Sequence, residues 1–165
     1  MDWPFDRAAD RAEEWAETVT REHAGLPCEA SLVAEASGCF RDLAADPDPE
    51  PVLLHADLHA GNILLDRHAG WLAIDPKPLV GDRAFDVASL VRDRRPELAR
   101  DPDPGRRIAR RVDAMSERLG LDRSRVRAWS LAQTVELGLD ALASGLLVEG
   151  HRELAVGRAL AATRP

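Results

Sequence analysis

The chain has 165 residues, one domain's worth, and its 45% apolar content is enough to bury a core. Lys and Arg total 22 against 29 Asp and Glu, and the resulting net charge of −7 gives nucleic-acid binding no electrostatic support. Cys28 and Cys39 are too few for a disulfide framework or a zinc motif and read as small buried thiols in a reducing compartment. No run of ~18 apolar residues is present, so no membrane partner is expected. The start, MDWPFDRAADRAEE, is acidic and lacks the apolar stretch of a signal peptide, which predicts a cytoplasmic protein.

Residues 6–24 predict a helix, because Ala8, Ala12, Trp15 and Val19 recur every three or four positions. Gly25-Leu26-Pro27 ends it. Residues 29–45 predict a second helix with Leu32, Val33, Ala36, Phe40 and Leu43 on one side. Gly38 weakens that helix by about 1 kcal/mol relative to Ala, too little to abolish it. The run DPDPEP at 46–51 is an extended linker, each Pro removing a donor and straightening its predecessor.

Three short apolar runs follow: Val52-Leu53-Leu54, Ile63-Leu64-Leu65 and Trp71-Leu72-Ala73-Ile74. The turn residues 66–70, DRHAG, fold the last two into a hairpin expected to pack between the helices. Asp82 caps a helix running to about residue 94 that buries Phe85, Ala88, Leu90 and Val91. A second loop, DPDPG, occupies 101–105, and residues 106–119 form a helix ended by Gly120. Asp122 or Ser124 then caps a long apolar helix through Trp129, Leu131, Ala132, Val135, Leu139 and Leu142, expected at the centre of the helical part. Gly150 is predicted to break it, with residues 151–162 forming the last helix. The fold class is therefore mainly α (α+β): helices over 1–50, a β-containing segment over 51–93, and closing helices over 94–165.

The chemistry concentrates between the first two apolar runs, in His55-Ala56-Asp57-Leu58-His59-Ala60-Gly61-Asn62. Asp57 and Asn62 lie five residues apart across a tight loop, and the hairpin would return Asp75 close to Asn62. An amide oxygen and a carboxylate suit Mg²⁺, which completes its shell with substrate phosphates. The remaining carboxylate can orient a hydroxyl and take its proton. These are the parts phosphoryl transfer needs, since its catalysis is mostly positioning and charge neutralisation.

His55-x-Asp57-x4-Asn62 followed by Ile74-Asp75 resembles the catalytic loop and metal-binding Asp of the protein-kinase-like fold. The longer run HADLHAGN…WLAIDPKPLVGDRAFDVA is closer to the aminoglycoside phosphotransferases, and within them to the streptomycin 6-kinase and hydroxyurea kinase branch. The resemblance is dense over 51–93 and diffuse elsewhere; Ala56 stands where many relatives carry Gly. It implies the C-terminal lobe of a kinase-like fold, with ATP and Mg²⁺ as cofactors and a small-molecule hydroxyl acceptor such as an aminoglycoside or hydroxyurea. It implies Asp57 as the acceptor base, Asn62 and Asp75 as metal ligands, and Asp86 as the carboxylate that takes N–H bonds from the catalytic loop.

His55 is expected to brace that loop, and His59 to face solvent, with phosphate or substrate contact as its alternative. Lys77 is either a phosphate contact or solvated. Glu136, Asp140 and Glu149 either line an acidic pocket for a cationic sugar or form a solvated face. Only 51 residues precede the first apolar run, and they read as helices. The Gly-rich loop, strand Lys and partner Glu of a β-lobe are not seen, so the expectation is a C-lobe without its N-lobe, prone to self-association or to pairing with a separate N-lobe. Two other readings stand beside this one. In a metallohydrolase, His55, Asp57 and His59 alternate along a strand and bind metal. The other reading is a non-catalytic remnant of a kinase lobe.

Overall fold

The computed structural model describes residues 4–21, 25–48, 50–93, 95–98 and 100–163, the side chains at 95 and 96 excepted. The ends predicted at 22–24 and 94 lie outside the described residues. Helices α1 (Ala8–Arg21) and α2 (Ala30–Ala45) come first. The face α1 buries is Ala8, Ala12, Ala16 and Val19, and these small side chains let α2 approach with Leu32, Ala36, Phe40 and Leu43. Trp15 lies at the edge of that seam, its ring 5.6 Å from Phe40 and 6.1 Å from Phe85.

Four short strands follow: β1 (Val52–Leu54), β2 (Ile63–Asp66), β3 (Gly70–Ala73) and β4 (Leu79–Gly81). β1 pairs antiparallel with β4, and β2 with β3. The β2–β3 turn closes because Asp66 Oδ1 accepts the N–H groups of His68 and Ala69, both at 2.8 Å, while Gly70 takes φ +78°.

The rest is helical: α3 (Ala84–Arg92), α4 (Arg95–Leu98), α5 (Pro104–Leu119), α6 (Arg123–Ala143) and α7 (Leu147–Ala161). α5 begins at Pro104, two residues before the expected start, because Asp103 caps the backbone N–H of Arg106 and Pro suits a first turn. Gly120 ends it at φ +62°. Asp122 caps α6, whose Trp129, Leu131, Ala132, Val135 and Leu139 are fully buried at the centre of the bundle. Asp82 joins the start of α3 to α6: it accepts from Ala84 N, from Arg125 Nε at 2.7 Å and from Trp129 Nε1 at 3.1 Å.

Three expectations are corrected. Gly150 does not break α6; the break is at Gly145, which takes φ +79°. Gly150 lies inside α7, where an added Cβ would meet Leu142 at 2.7 Å and the Gly138 carbonyl oxygen at 2.9 Å. It is a packing glycine that lets α7 cross α6 closely. The hairpin does not pack between helices either. Leu64, Leu65, Trp71 and Leu72 are exposed, Trp71 at 71%. Within α3, Val87 is buried where Leu90 was expected, Leu90 being only half-buried. α4, a single turn, carries no periodic signal and was not expected.

Both cysteines are free thiols, and burial pushes Cys39 up to about 11. Among the described residues no helix is long and apolar enough to cross a membrane.

Candidate active site

The chain leaves β1 at His55 and turns back on itself at once. The N–H groups of His55 and Ala56 donate to the two oxygens of Asp86, on α3, at 2.8 and 2.7 Å. Ala56 takes φ +59°, a left-handed conformation that costs a residue with a Cβ about 1 kcal/mol and is tolerated when its surroundings enforce it. The backbone N–H of Asp57 donates to His55 Nδ1 at 3.3 Å. His55 therefore carries its proton on Nε2, which lies 2.9 Å from the Ile74 carbonyl oxygen. Its ring thus ties the loop to the end of the hairpin.

Asn62 is reached through a turn of 3-10 helix, Ala60–Asn62. Its Nδ2 donates to the Asp57 carbonyl oxygen at 2.9 Å, which leaves Oδ1 as the acceptor end of the side chain. The backbone N–H of Ile74 donates to the Asn62 carbonyl oxygen at 2.9 Å, so Asp75 follows the residue bonded to Asn62. Asp75 is exposed and sits at φ +57°, a second left-handed residue that is not glycine. The Lys77 N–H then donates to the His55 carbonyl oxygen at 2.8 Å.

Asp57 faces a cleft of about 480 Å³ that His59, Lys77, Phe85 and Glu136 also line. Lys77 Nζ lies 2.7 Å from Asp57 Oδ2, and His59 Nε2 lies 3.9 Å from Oδ1. Burial pushes the Asp57 carboxyl up, but the Lys77 ammonium, aided by His59 and His55, more than offsets this and holds it below the usual carboxylate range. His59 is not simply solvent-facing. Its Nδ1 accepts the Gly61 N–H at 3.1 Å, which puts its proton on Nε2, toward Asp57. A Cβ at Gly61 would come within 2.8 Å of the His59 ring, so a larger residue there would displace that ring.

Of Glu136, Asp140 and Glu149, only Glu136 lines the cleft. Burial pushes it up to about 7, Asp140 adds to the shift, and Arg92 opposes it. Asp140 is exposed, and Glu149 is exposed in the first turn of α7; neither lines the cleft. Several lining residues went unnoticed in the sequence: Trp15, Ser89, Arg92, Asp93 and Gln133. Arg92 donates to Gln133 Oε1 at 2.7 Å and to Ser89 Oγ at 3.1 Å, and Asp93 Oδ2 accepts the Ala60 N–H at 3.1 Å. Only the adjacency of Arg92 and Asp93 to an apolar helix end hinted at them.

The metallohydrolase arrangement does not form. The turn at Ala56 breaks the strand that would have aligned His55, Asp57 and His59, and both ring nitrogens of His55 are engaged. Among the described residues no group of three or more His, Cys, Asp or Glu is placed to hold a metal. The oxygens of Asn62 and Asp75 instead suit a hard cation shared with a phosphate.

Residues 3–145 match the family described as aminoglycoside/hydroxyurea antibiotic resistance kinase. The chain is 35% identical over 132 residues to a streptomycin 6-kinase of Streptomyces glaucescens, covering 79% of this chain and 42% of that one. It is 36% identical over 132 residues to a hydroxyurea phosphotransferase of Kitasatospora aureofaciens, covering 80% and 36%. A streptomycin 6-kinase of Streptomyces griseus is 37% identical, covering 80% and 40%. The chain thus spans about two-fifths of the length of these relatives. A solved structure of the aminoglycoside phosphotransferase APH(4)-Ia, a ternary complex with AMP-PNP and hygromycin B, superposes with a TM-score of 0.54 at 20% identity, covering 92% of this chain and 53% of that one. The shared fold agrees with the expected kinase-like C-terminal lobe. On the family match and these identities, the chain belongs to the aminoglycoside/hydroxyurea antibiotic resistance kinases.

Proposed function

We propose that Asp57, Asn62 and Asp75 form the centre of a kinase that moves the γ-phosphoryl group of ATP to a hydroxyl of a small antibiotic-like molecule. The observation that carries this is the convergence of one loop and one hairpin: Asp57 faces the cleft, and the backbone hydrogen bond from Ile74 to Asn62 brings Asp75 to one residue past the partner of Asn62. The names of the relatives, streptomycin 6-kinase and hydroxyurea phosphotransferase, supply the acceptor classes.

Asp57 orients the acceptor hydroxyl and takes its proton as the oxygen–phosphorus bond forms and the bond to the ADP oxygen breaks. Asn62 Oδ1 and the Asp75 carboxylate are the groups that would hold Mg²⁺, whose chemistry when bound is to neutralise charge on the phosphates. His55 and Asp86 act on neither substrate; they hold the loop that carries Asp57. Glu136 contacts the acceptor from the other side of the cleft, and Asp140 adds negative charge one turn further along α6. This chain spans about two-fifths of the length of the related enzymes, so the activity proposed is that of the whole enzyme.

The test joins this chain to the part of the Streptomyces griseus enzyme that it does not match and assays transfer from labelled ATP to streptomycin and to hydroxyurea, with the chain alone alongside. Mg²⁺-dependent product from the joined protein, abolished by Asp57→Ala, supports the reading. No transfer to either acceptor by a folded, ATP-binding fusion favours a non-catalytic lobe.

A further inference from the structure

We propose that Lys77 is the side chain that binds the transferred phosphoryl group, and that its ion pair with Asp57 is the resting position from which it moves. The inference rests on the phosphotransferase reading above and adds to it a residue that reading leaves without a task.

Lys77 is the only lysine in a chain whose other strongly basic side chains are all arginine. Its main chain is fixed: its N–H donates to the His55 carbonyl oxygen at 2.8 Å, so its Cα moves with the loop that carries Asp57. Its side chain is 69% exposed, lines the cleft, and places Nζ 2.7 Å from Asp57 Oδ2. The Asp75 carboxylate acts on the same ammonium. One cation thus lies under the influence of both the proposed acceptor base and a proposed metal ligand, which is where the γ-phosphoryl group would stand between them.

Residue type matters here. An ammonium on a four-carbon stem is a point charge that can change partners by rotating, whereas a guanidinium fork is built to lock on one carboxylate. The other strongly basic residue lining the cleft, Arg92, is held by Gln133 and Ser89. An ion pair as exposed as Lys77–Asp57 contributes little to stability, so giving it up is cheap. A phosphate chain offers several charged oxygens in exchange for one carboxylate and takes the ammonium.

The exchange has a chemical consequence. With Lys77 on Oδ2, that oxygen of Asp57 is engaged and only Oδ1 is open to an acceptor hydroxyl. When the ammonium shifts to the phosphoryl oxygens, Oδ2 is released to the hydroxyl. Nucleotide binding therefore frees the base. In the transfer itself the acceptor oxygen–phosphorus bond forms, the bond from phosphorus to the ADP oxygen breaks, the hydroxyl proton goes to Asp57, and Lys77 keeps its proton throughout.

A single lysine makes this testable directly. Protein grown on ¹³C-lysine gives one Cε cross-peak, already assigned. Asp57→Asn should move that peak before any ligand is added. Mg²⁺ with inorganic tripolyphosphate should move it saturably in the wild type, and Lys77→Met should weaken tripolyphosphate binding, followed by ³¹P linewidth, about tenfold. Should tripolyphosphate bind while the Lys77 peak stays put, or bind equally well to Lys77→Met, the proposal is overturned and the phosphotransferase reading stands. A peak unmoved by Asp57→Asn also overturns it, since the resting pair would not exist in solution. If tripolyphosphate does not bind at all, this proposal is overturned, since Lys77 then holds no phosphoryl oxygens; the phosphotransferase reading is judged separately by the transfer assay on the joined protein.

Discussion

The two carboxylate oxygens of Asp86 accept the backbone N–H groups of His55 and Ala56, at 2.8 and 2.7 Å, from 31 and 30 residues away. One side chain on α3 thereby sets the direction of the chain just before Asp57. Asp86→Ala leaves two partly buried N–H groups without their acceptor, at a cost of about 1–3 kcal/mol. The expected result is a lower melting temperature together with faster hydrogen exchange at those two amides. Unchanged exchange at both would show that Asp86 does not hold the loop.

Glu136 lies in the cleft with its carboxyl pushed up to about 7, chiefly by burial. A raised carboxyl means that the folded protein binds more protons than the unfolded chain between about 4.5 and 7. Its contribution to stability is therefore fully present below about 4.5 and is lost as pH rises through about 7. Glu136→Gln removes the penalty, so the variant should gain stability over wild type at pH 8, on the order of 2 kcal/mol, and show little difference at pH 4. Urea titrations at the two pH values measure this.

Gly150 packs where a Cβ would stand 2.7 Å from Leu142. Gly150→Ala should cost about 1–3 kcal/mol by overpacking, despite the better helix propensity of Ala. Gly38, with nothing within 4 Å of its added Cβ and a place inside α2, is the control: Gly38→Ala should stabilise by about 0.5–1 kcal/mol. Both are read from urea midpoints.

Leu65 and Trp71 face each other across the hairpin and are 66% and 71% exposed. Leu65→Ser with Trp71→Ser should change folding stability by less than about 1 kcal/mol, since little is buried. It should reduce concentration-dependent association in sedimentation velocity, because exposed apolar area drives it.

Much of the site was legible because its signals are local. Asp57, Asn62 and the DRHAG turn lie within one short stretch, so their spacing alone brings Asp75 beside Asn62. The partners of Asp57 were harder. Lys77 is 20 residues away and meets it only because the chain turns left-handed at Asp75 and is then tied to His55. Asp visits the left-handed region more readily than most residues, but nothing local shows which Asp of this chain does so. Gly150 was misread for a related reason. Glycine breaks helices unless another helix needs the space, and only the crossing of α6 by α7 decides which applies. Glu136 could be placed on a helix from sequence, but its burial depends on α3, which supplies Arg92 to the same cleft.

Asp57 as the acceptor base, with Asn62 and Asp75 as the metal-holding pair, is the central assignment. The deciding measurement is the single-turnover rate of phosphoryl transfer together with Mg-ATP affinity, in the joined protein, for Asp57→Asn and Asp75→Asn. The account predicts that Asp57→Asn loses about 10²–10⁴ in rate, as expected when an acceptor base is removed, with Mg-ATP affinity little changed. It predicts that Asp75→Asn weakens Mg²⁺-dependent nucleotide binding. Transfer at the wild-type rate by Asp57→Asn would contradict it.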